Sequence, residues 1–194
     1  MSRRDAIATA AVELVAEGGS HALTHRRIDR RLGLPEGTTS NYARNRRDLV
    51  RMVIGRVADV AEIRGGDATQ SNAVPALPRT VSEAVEQLVP AFEATVARGT
   101  DTRARMALSI DCLQDEELHA LLTTDSPVRE KLLAEARQML AGLGVPEPEQ
   151  RASDFIAVMN GLLYDRLVGH GVRGTPADVS SVLRAWLIGI GGRR

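Results

Sequence analysis

The 194-residue chain has a single cysteine, Cys112. One thiol builds no internal disulfide framework, and it fits a reducing compartment. Aromatic residues are scarce too: Tyr42, Phe92, Phe155, Tyr164 and Trp186 make up the whole set, 3% of the sequence. That shortage argues against a large aromatic-lined pocket of the drug-binding kind. No apolar run is long enough to span a bilayer, because Asp, Glu or Arg interrupts every candidate. The opening residues MSRRDAIATAAVEL alternate apolar and charged positions, unlike a secretory leader. A Gly-rich phosphate loop, HExxH, GxSxG and Cys-x-x-Cys are all missing, and the four His have no evident nucleophile to work with. These absences disfavour an enzyme, point to no cofactor, and predict a soluble, cytoplasmic protein with no membrane partner.

Charge is present but unevenly placed. The formal net charge is zero, yet residues 1–56 carry 11 Arg against 6 acidic residues, and residues 57–194 carry the opposite excess of 5. A basic head on an acidic body suits a protein that docks a polyanion with one end.

Apolar periodicity predicts helix throughout. Ile7, Ala11, Leu14 and Val15 recur at helical spacing, and Gly18-Gly19 ends that first helix. Thr24 is placed to N-cap a second, with Leu23 and Ile28 where a hydrophobic staple packs. Gly33 marks a turn, and Pro35 opens a short third helix running to about Tyr42. Asn45 caps a longer fourth, with Leu49, Val53, Val57 and Val60 on one stripe and Asp48 near its positive end. Residues 65–79, GGDATQSNAVPALPR, form the one clear low-order break. Thr80-Val81-Ser82-Glu83 then restarts a helix to about Arg98, and more helices are expected near 101–113, 115–122, 127–141, 148–169 and 176–190. The expected fold is all-α, with about nine helices. A three-helix helix-turn-helix head, residues 1–56, would carry a larger helical body, residues 57–194.

The third helix offers Glu36, Gly37, Thr38, Ser40, Asn41 and Tyr42, which are small or polar with little to bury. Such a surface suits a helix whose start meets base edges in the major groove while its neighbours grip phosphates. Gly37 lets backbone approach closely, Thr38 offers a methyl or a hydroxyl, and Asn41 and Tyr42 are hydrogen-bond donors. Arg26, Arg27, Arg30, Arg31, Arg44, Arg46 and Arg47 supply phosphate-neutralising charge. The competing reading is an arginine-rich solvated face on a generic bundle.

Four segments carry a resemblance beyond this chemistry: Glu17-Gly18-Gly19, Leu23-Thr24-His25-Arg26-Arg27-Ile28, Leu32-Gly33-Leu34-Pro35-Glu36-Gly37-Thr38-Thr39 and Asn45-Arg46-Arg47-Asp48-Leu49. In this order and spacing, residues 3–54 resemble the N-terminal domain of the TetR family of bacterial transcriptional regulators. The resemblance implies a homodimeric repressor of a palindromic operator, usually released by a small-molecule effector, with a variable helical body for ligand binding and dimerisation. By position it puts Thr24 on a phosphate, followed by His25 and by Arg26, where some members contact a base. Pro35, Glu36, Gly37 and Thr38 fall on the base-reading start, and Ser40, Asn41 and Tyr42 on the segment that usually holds aromatic and His contacts. Arg46 replaces the usual phosphate-binding lysine. Three positions depart from the pattern. Ala43 stands for a common Phe anchor, Ser40 for a frequent phosphate-contacting Tyr, and Glu36 brings a carboxylate towards a polyanion. Glu36 either accepts from a cytosine amino group or favours the helix N-terminus and repels wrong sequences.

Two readers related by a twofold axis would read half-sites roughly 34–36 Å apart or a multiple of that. The last two helices are the pairing candidates, through Phe155, Val158, Met159, Leu162, Leu163 and Leu167 on one and Val182, Leu183, Trp186, Leu187 and Ile190 on the other. The alternative is that these stripes only close the subunit's own core. Phe92, Met106, Ile110, Asn160 and Tyr164 are candidate pocket residues, though core packing is the favoured role for each. Asp111, Asp115 and His119 recur every fourth residue, so a continuous helix would offer them to a transition metal, whereas a break near Gln114 would scatter them. A further alternative is a helical adaptor that binds another protein through its body.

Overall fold

The computed structural model of the chain describes residues 2–68 and 76–194, apart from the side chains of residues 60–68. Among the described residues there is no strand, and nine α-helices follow one another. They are α1 (Arg3–Gly18), α2 (His25–Leu32), α3 (Arg46–Ala68), α4 (Val81–Ala97), α5 (Gly99–Asp111), α6 (Glu116–Leu122), α7 (Pro127–Gly142), α8 (Pro148–Leu167) and α9 (Val179–Gly189). The fold is all-helical, as the periodicity predicts. None of the described helices is long and apolar enough to cross a membrane.

Several of these helices start at side chains that accept the otherwise orphaned first-turn amides. Ser2 and Asp5 form a capping box, with Ser2 Oγ accepting from the Asp5 amide at 3.1 Å and Asp5 returning the bond to the Ser2 amide at 2.9 Å. Thr24 caps α2 by accepting from the Arg27 amide, and Asn45 opens α3 by accepting from the Asp48 amide at 2.9 Å. Thr80 and Asp178 do the same for α4 and α9. The break expected over 65–79 begins later than its glycines suggest, since α3 continues to Ala68. Residues 76–80 are non-helical, and 69–75 and the side chain of Val60 lie outside the described residues.

The chain forms two compact units, each discontinuous in sequence. The first joins Met1–Ala68 to Thr100–Val128. Its core unites Ile7, Val15, Leu23, Ile28, Leu49 and Val53 with Leu108 of α5 and Leu118 of α6. α1 packs on α2 and α3, and α6 lies against α3. Each of these fully buried aliphatic side chains contributes about 1.5–3 kcal/mol relative to exposure.

The second unit joins Thr69–Gly99 to Arg129–Arg194. α4 packs on α8 and α9 around Val81, Phe92, Leu140, Leu143, Phe155, Leu183 and Leu187. The rings of Phe155 and Trp186 meet at 5.8 Å, tilted by 41°. Arg193 closes the unit through its backbone: its carbonyl accepts from the Val81 amide at 2.7 Å, and its amide donates to the Leu143 carbonyl at 3.0 Å.

Candidate nucleic-acid interface

Between α2 and α3 the chain takes a tighter path than a third helix over 35–42 would give. Residues 36–38 turn, and Thr39–Asn41 form a single 3-10 turn. Gly37 is the cause. Its φ of +91° lies outside the right-handed region, where an L side chain is strained, so no α-helix passes through it. The backbone bonds are of the short i to i+3 kind, from the amides of Thr38, Ser40, Asn41 and Tyr42 to the carbonyls of Pro35, Gly37, Thr38 and Thr39. The Thr38 hydroxyl also donates to the Pro35 carbonyl at 2.7 Å. Glu36 therefore has no α-helix start to favour. It faces Arg26 instead, Oε1 to Nε 3.6 Å, with both side chains largely exposed.

Beneath this turn lies a residue that the sequence does not single out. Asp29, on α2, is 2% exposed. Its Oδ2 accepts from the Gly37 amide at 2.8 Å, and its Oδ1 from the Thr39 amide at 2.9 Å and the Thr39 hydroxyl at 2.6 Å. Burial works against the charge, but the bonds from Thr39 and Gly37 outweigh it and hold the carboxyl below the ordinary aspartate range. At the far end, the His25 Nε2 lies 2.7 Å from the carbonyl of Ala43. A carbonyl only accepts, so Nε2 carries the proton. His25 is thus half-buried and turned towards Ala43, which is itself buried in the first core.

The outward side of the same segment presents Glu36, Gly37, Ser40, Asn41 and Tyr42, with Thr38 partly exposed. Pro35 is exposed, and the exposed Thr24 turns its hydroxyl to the Arg27 amide. Tyr42 also borders an open groove of about 320 Å³ between α1 and α3, lined by Arg4, Asp48, Arg51, Met52 and Arg56 among others. Arg4 and Arg56 are cations that the sequence pattern does not connect with residues 36–43; they arrive beside Tyr42 because α1 packs along α3.

The arginines divide into two sets. Arg26, Arg27 and Arg30 on α2 and Arg44 just after the segment are exposed, and Arg26 reaches the segment at Glu36. Arg31 instead binds Glu17 at 2.8 Å and Glu13 at 3.3 Å on α1, which raises its already high pKa. Arg46 donates to the Leu23 carbonyl at 3.2 Å and to Asp111 at 3.1 Å. Arg47 grips Asp115 and Glu117, and Arg51 also pairs with Glu117. The start of α3 is therefore balanced by carboxylates from α5 and α6.

That pairing also explains the acidic cluster. α5 ends at Asp111, and Asp115 caps α6 by accepting from the Leu118 amide at 3.2 Å, so the continuous helix needed for a shared ligand face is interrupted. Among the described residues, no group of three or more His, Cys, Asp or Glu is placed to hold a metal ion. Cys112 is buried between the two helices, and burial and its acidic neighbours push its thiol pKa up, away from the reactive thiolate.

In the second unit, Phe155, Leu162, Leu183 and Leu187 are buried in the subunit's own core, and Met159, Leu163, Trp186 and Ile190 are half-buried. The exposed positions on the same two helices include Ala157, Gly161 and Tyr164 on α8 and Val182, Ala185 and Gly189 on α9, beside the polar Arg151, Ser153, Asp154, Ser181 and Arg184. A Cβ added at Gly161 or Gly189 would meet nothing within 4 Å. The pocket candidates are split: Phe92, Asn160 and Tyr164 belong to the second unit, Met106 and Ile110 to the first. Phe92 is buried under the Arg166 guanidinium, 5.9 Å from its ring, and Met106 and Asn160 are half-buried. Tyr164 and Ile110 are exposed, by 51% and 69%.

Residues 79–189, more than half of the chain, match the family model described as tetracyclin repressor-like, C-terminal domain. Comparison with curated proteins gives no match. Solved structures share the fold over nearly their whole length. A transcriptional regulator from Rhodococcus sp. Rha1 is 20% identical with a TM-score of 0.68, covering 97% of this chain and 96% of that one. A TetR family member from Streptomyces coelicolor A3 is 21% identical with a TM-score of 0.68, covering 98% of each chain. The multidrug binding protein EbrR, solved with proflavin, is 19% identical with a TM-score of 0.64, covering 97% of this chain and 99% of its own.

Proposed function

The chain belongs to the TetR family of transcriptional regulators, and from that membership we propose that it is a dimeric DNA-binding repressor, released from a palindromic operator by a small-molecule effector. The observation that carries this reading is the two-sidedness of residues 36–43. Their inward groups are bound to α2, and their outward groups are small or polar, with Arg26 against Glu36 and the exposed Arg44 next in the chain. Small and polar outward groups beside exposed arginines leave the segment free to approach base edges and a phosphate backbone.

In this reading Thr38, Ser40 and Asn41 meet base edges, and Tyr42 meets the backbone. Arg26, Arg27, Arg30 and Arg44 neutralise phosphates, with Thr24 capping α2 at the phosphate-facing end. Arg46 already serves Leu23 and Asp111, so its share of phosphate binding is secondary. Residues 1–56 are the DNA-binding domain and residues 57–194 the pairing and sensing domain.

The outward faces of α8 and α9 pair two subunits into a four-helix bundle, in which Ala157, Gly161, Ala185 and Gly189 let the helices approach closely and Val182 and Trp186 fill the seam. A small-molecule effector acts on the helical body. A neighbour with the same fold is a multidrug binding protein complexed with proflavin, which supports responsiveness to small molecules as a class.

The test is binding to duplex DNA across a salt series, using duplexes enriched from genomic fragments, the promoter beside the chain's own gene among them. A fall in log K with log salt of several units, together with enrichment of a palindrome, is expected. Absence of binding to any duplex would overturn the proposal and favour the helical adaptor.

A further inference from the structure

His25 and Asp29 are four residues apart on α2, so their side chains lie one above the other on a single face. Both reach the segment between α2 and α3, at opposite ends. Asp29 accepts from the amides of Gly37 and Thr39 and from the Thr39 hydroxyl; His25 donates to the carbonyl of Ala43. We infer that His25 and Asp29 are positioning residues of the reader, a two-point clamp that sets residues 37–43 in their binding shape before DNA arrives. This inference rests on the DNA-reading function proposed above.

The reason such a clamp is needed lies in the segment itself. Gly37 at φ +91° denies it an α-helix, and one 3-10 turn of three residues does not hold its own shape in water. Asp29 acts as a helix cap would, except that it comes from a neighbouring helix. Asp29 is 2% exposed and Thr39 is fully buried, so neither touches DNA; both act through Thr38, Ser40 and Asn41 above them. The bonds run to a carboxylate inside the protein, where they are stronger than at the surface and where an unmet amide is costly. Preformed shape also removes an ordering cost from binding, and that cost would fall on base-specific contacts, which need register, far more than on phosphate contacts, which need only charge.

Asp29→Asn is the discriminating change, because it replaces one accepting oxygen with a donor that faces a donor. Two duplexes serve as probes: one enriched by the parent protein from a random pool, and a scrambled one of equal length. For Asp29→Asn the ratio of their affinities is expected to fall on the order of 10-fold or more, while the salt slope on the scrambled duplex stays at the parent's value. His25→Ala is expected to act the same way from the other end, and Thr39→Val, which keeps both amide bonds, less strongly. Hydrogen exchange reads the clamp without DNA: the Gly37 and Thr39 amides should exchange faster in Asp29→Asn, with the Val53 amide in the α3 core unchanged. An unchanged affinity ratio, or unchanged exchange at Gly37 and Thr39, overturns the inference. If Asp29→Asn does not fold, His25→Ala, which removes one bond to one carbonyl, decides by the same ratio. If the parent binds no duplex, the repressor proposal fails, and the exchange experiment alone decides the clamp.

Discussion

Arg47 holds Asp115 with two nitrogens, Nε at 2.8 Å and Nη2 at 3.0 Å, and the same guanidinium reaches Glu117 at 2.6 Å. The basic head and the acidic body thus meet within the first compact unit, where α3 lies against α6. Part of the positive charge that the sequence assigns to the head is consequently answered by the protein itself. Under the proposed function, the arginines left for DNA are Arg26, Arg27, Arg30 and Arg44.

Acid should loosen this junction in a defined window. The Arg47 guanidinium and the Leu118 amide pull the Asp115 carboxyl down to about 2. A carboxylate with a depressed folded pKa contributes stability that is full above its unfolded pKa and is lost as pH falls through the folded one. Melting temperature should therefore fall from just above the ordinary aspartate range down towards pH 2. Asp115→Asn should flatten part of that decline, and a melting series from pH 5 to pH 2 on both proteins checks it.

Phosphate-facing and internally paired arginines should separate in salt titrations. Arg27→Ala and Arg30→Ala should each lower the slope of log K against log salt by about 1, uniformly over sequences. Arg47→Ala should leave the slope near the parent's and lower the melting temperature instead. Equal slopes for all three variants would mean that the division of the arginines is misplaced.

Outward residues of the reading segment should differ in what they control. Tyr42→Ala is expected to weaken binding to all duplexes alike. Thr38→Ala should also flatten the preference at one base pair per half-site, by about 1–3 kcal/mol. Binding measured on a panel of single-base operator variants distinguishes the two patterns.

Pairing should be breakable without unfolding the subunit. Gly161 has open space where a Cβ would go, so Gly161→Glu adds no clash inside its own chain. Sedimentation should show a monomer that melts close to the parent at equal concentration of folded chain, and binding to the palindrome should drop steeply. A dimer that persists in Gly161→Glu excludes this face as the seam.

Leu187, by contrast, is fully buried in the core of the second unit. Leu187→Ala should cost about 2–5 kcal/mol of unfolding free energy, read from urea denaturation, because the cavity forms among packed side chains.

Much of this molecule was legible in its sequence wherever the physics is local. Thr24, Asn45 and Thr80 cap helices because a side-chain oxygen finds an amide three residues on, and Gly33 ends α2 at φ 62°. The reading segment was legible as to place and polarity. Its path was not, since the weight of Gly37 against helix depends on a bond from another element. The role of Asp29 is not legible in the sequence, because an acid in an arginine-rich helix has the pattern of a solvated residue. The available signal was its phase: Asp29 shares a face with His25 four residues before and Leu32 three after, next to the buried Ile28. Likewise, the apolar stripes of α8 and α9 revealed what is buried, whereas the small residues between them, open to solvent, carry no hydropathy signal.

The separation of inward from outward groups in residues 36–43 has a consequence for descent. Thr39, Ala43, His25 and Asp29 maintain the shape, and Thr38, Ser40 and Asn41 occupy the other side. Under the proposed function, drift in the second set would change which sequence is preferred without disturbing the first. Under that function, a lineage carrying this arrangement could acquire a new target site in single steps, because the substituted side chains lie outside the bonds from His25 and Asp29 that hold the segment.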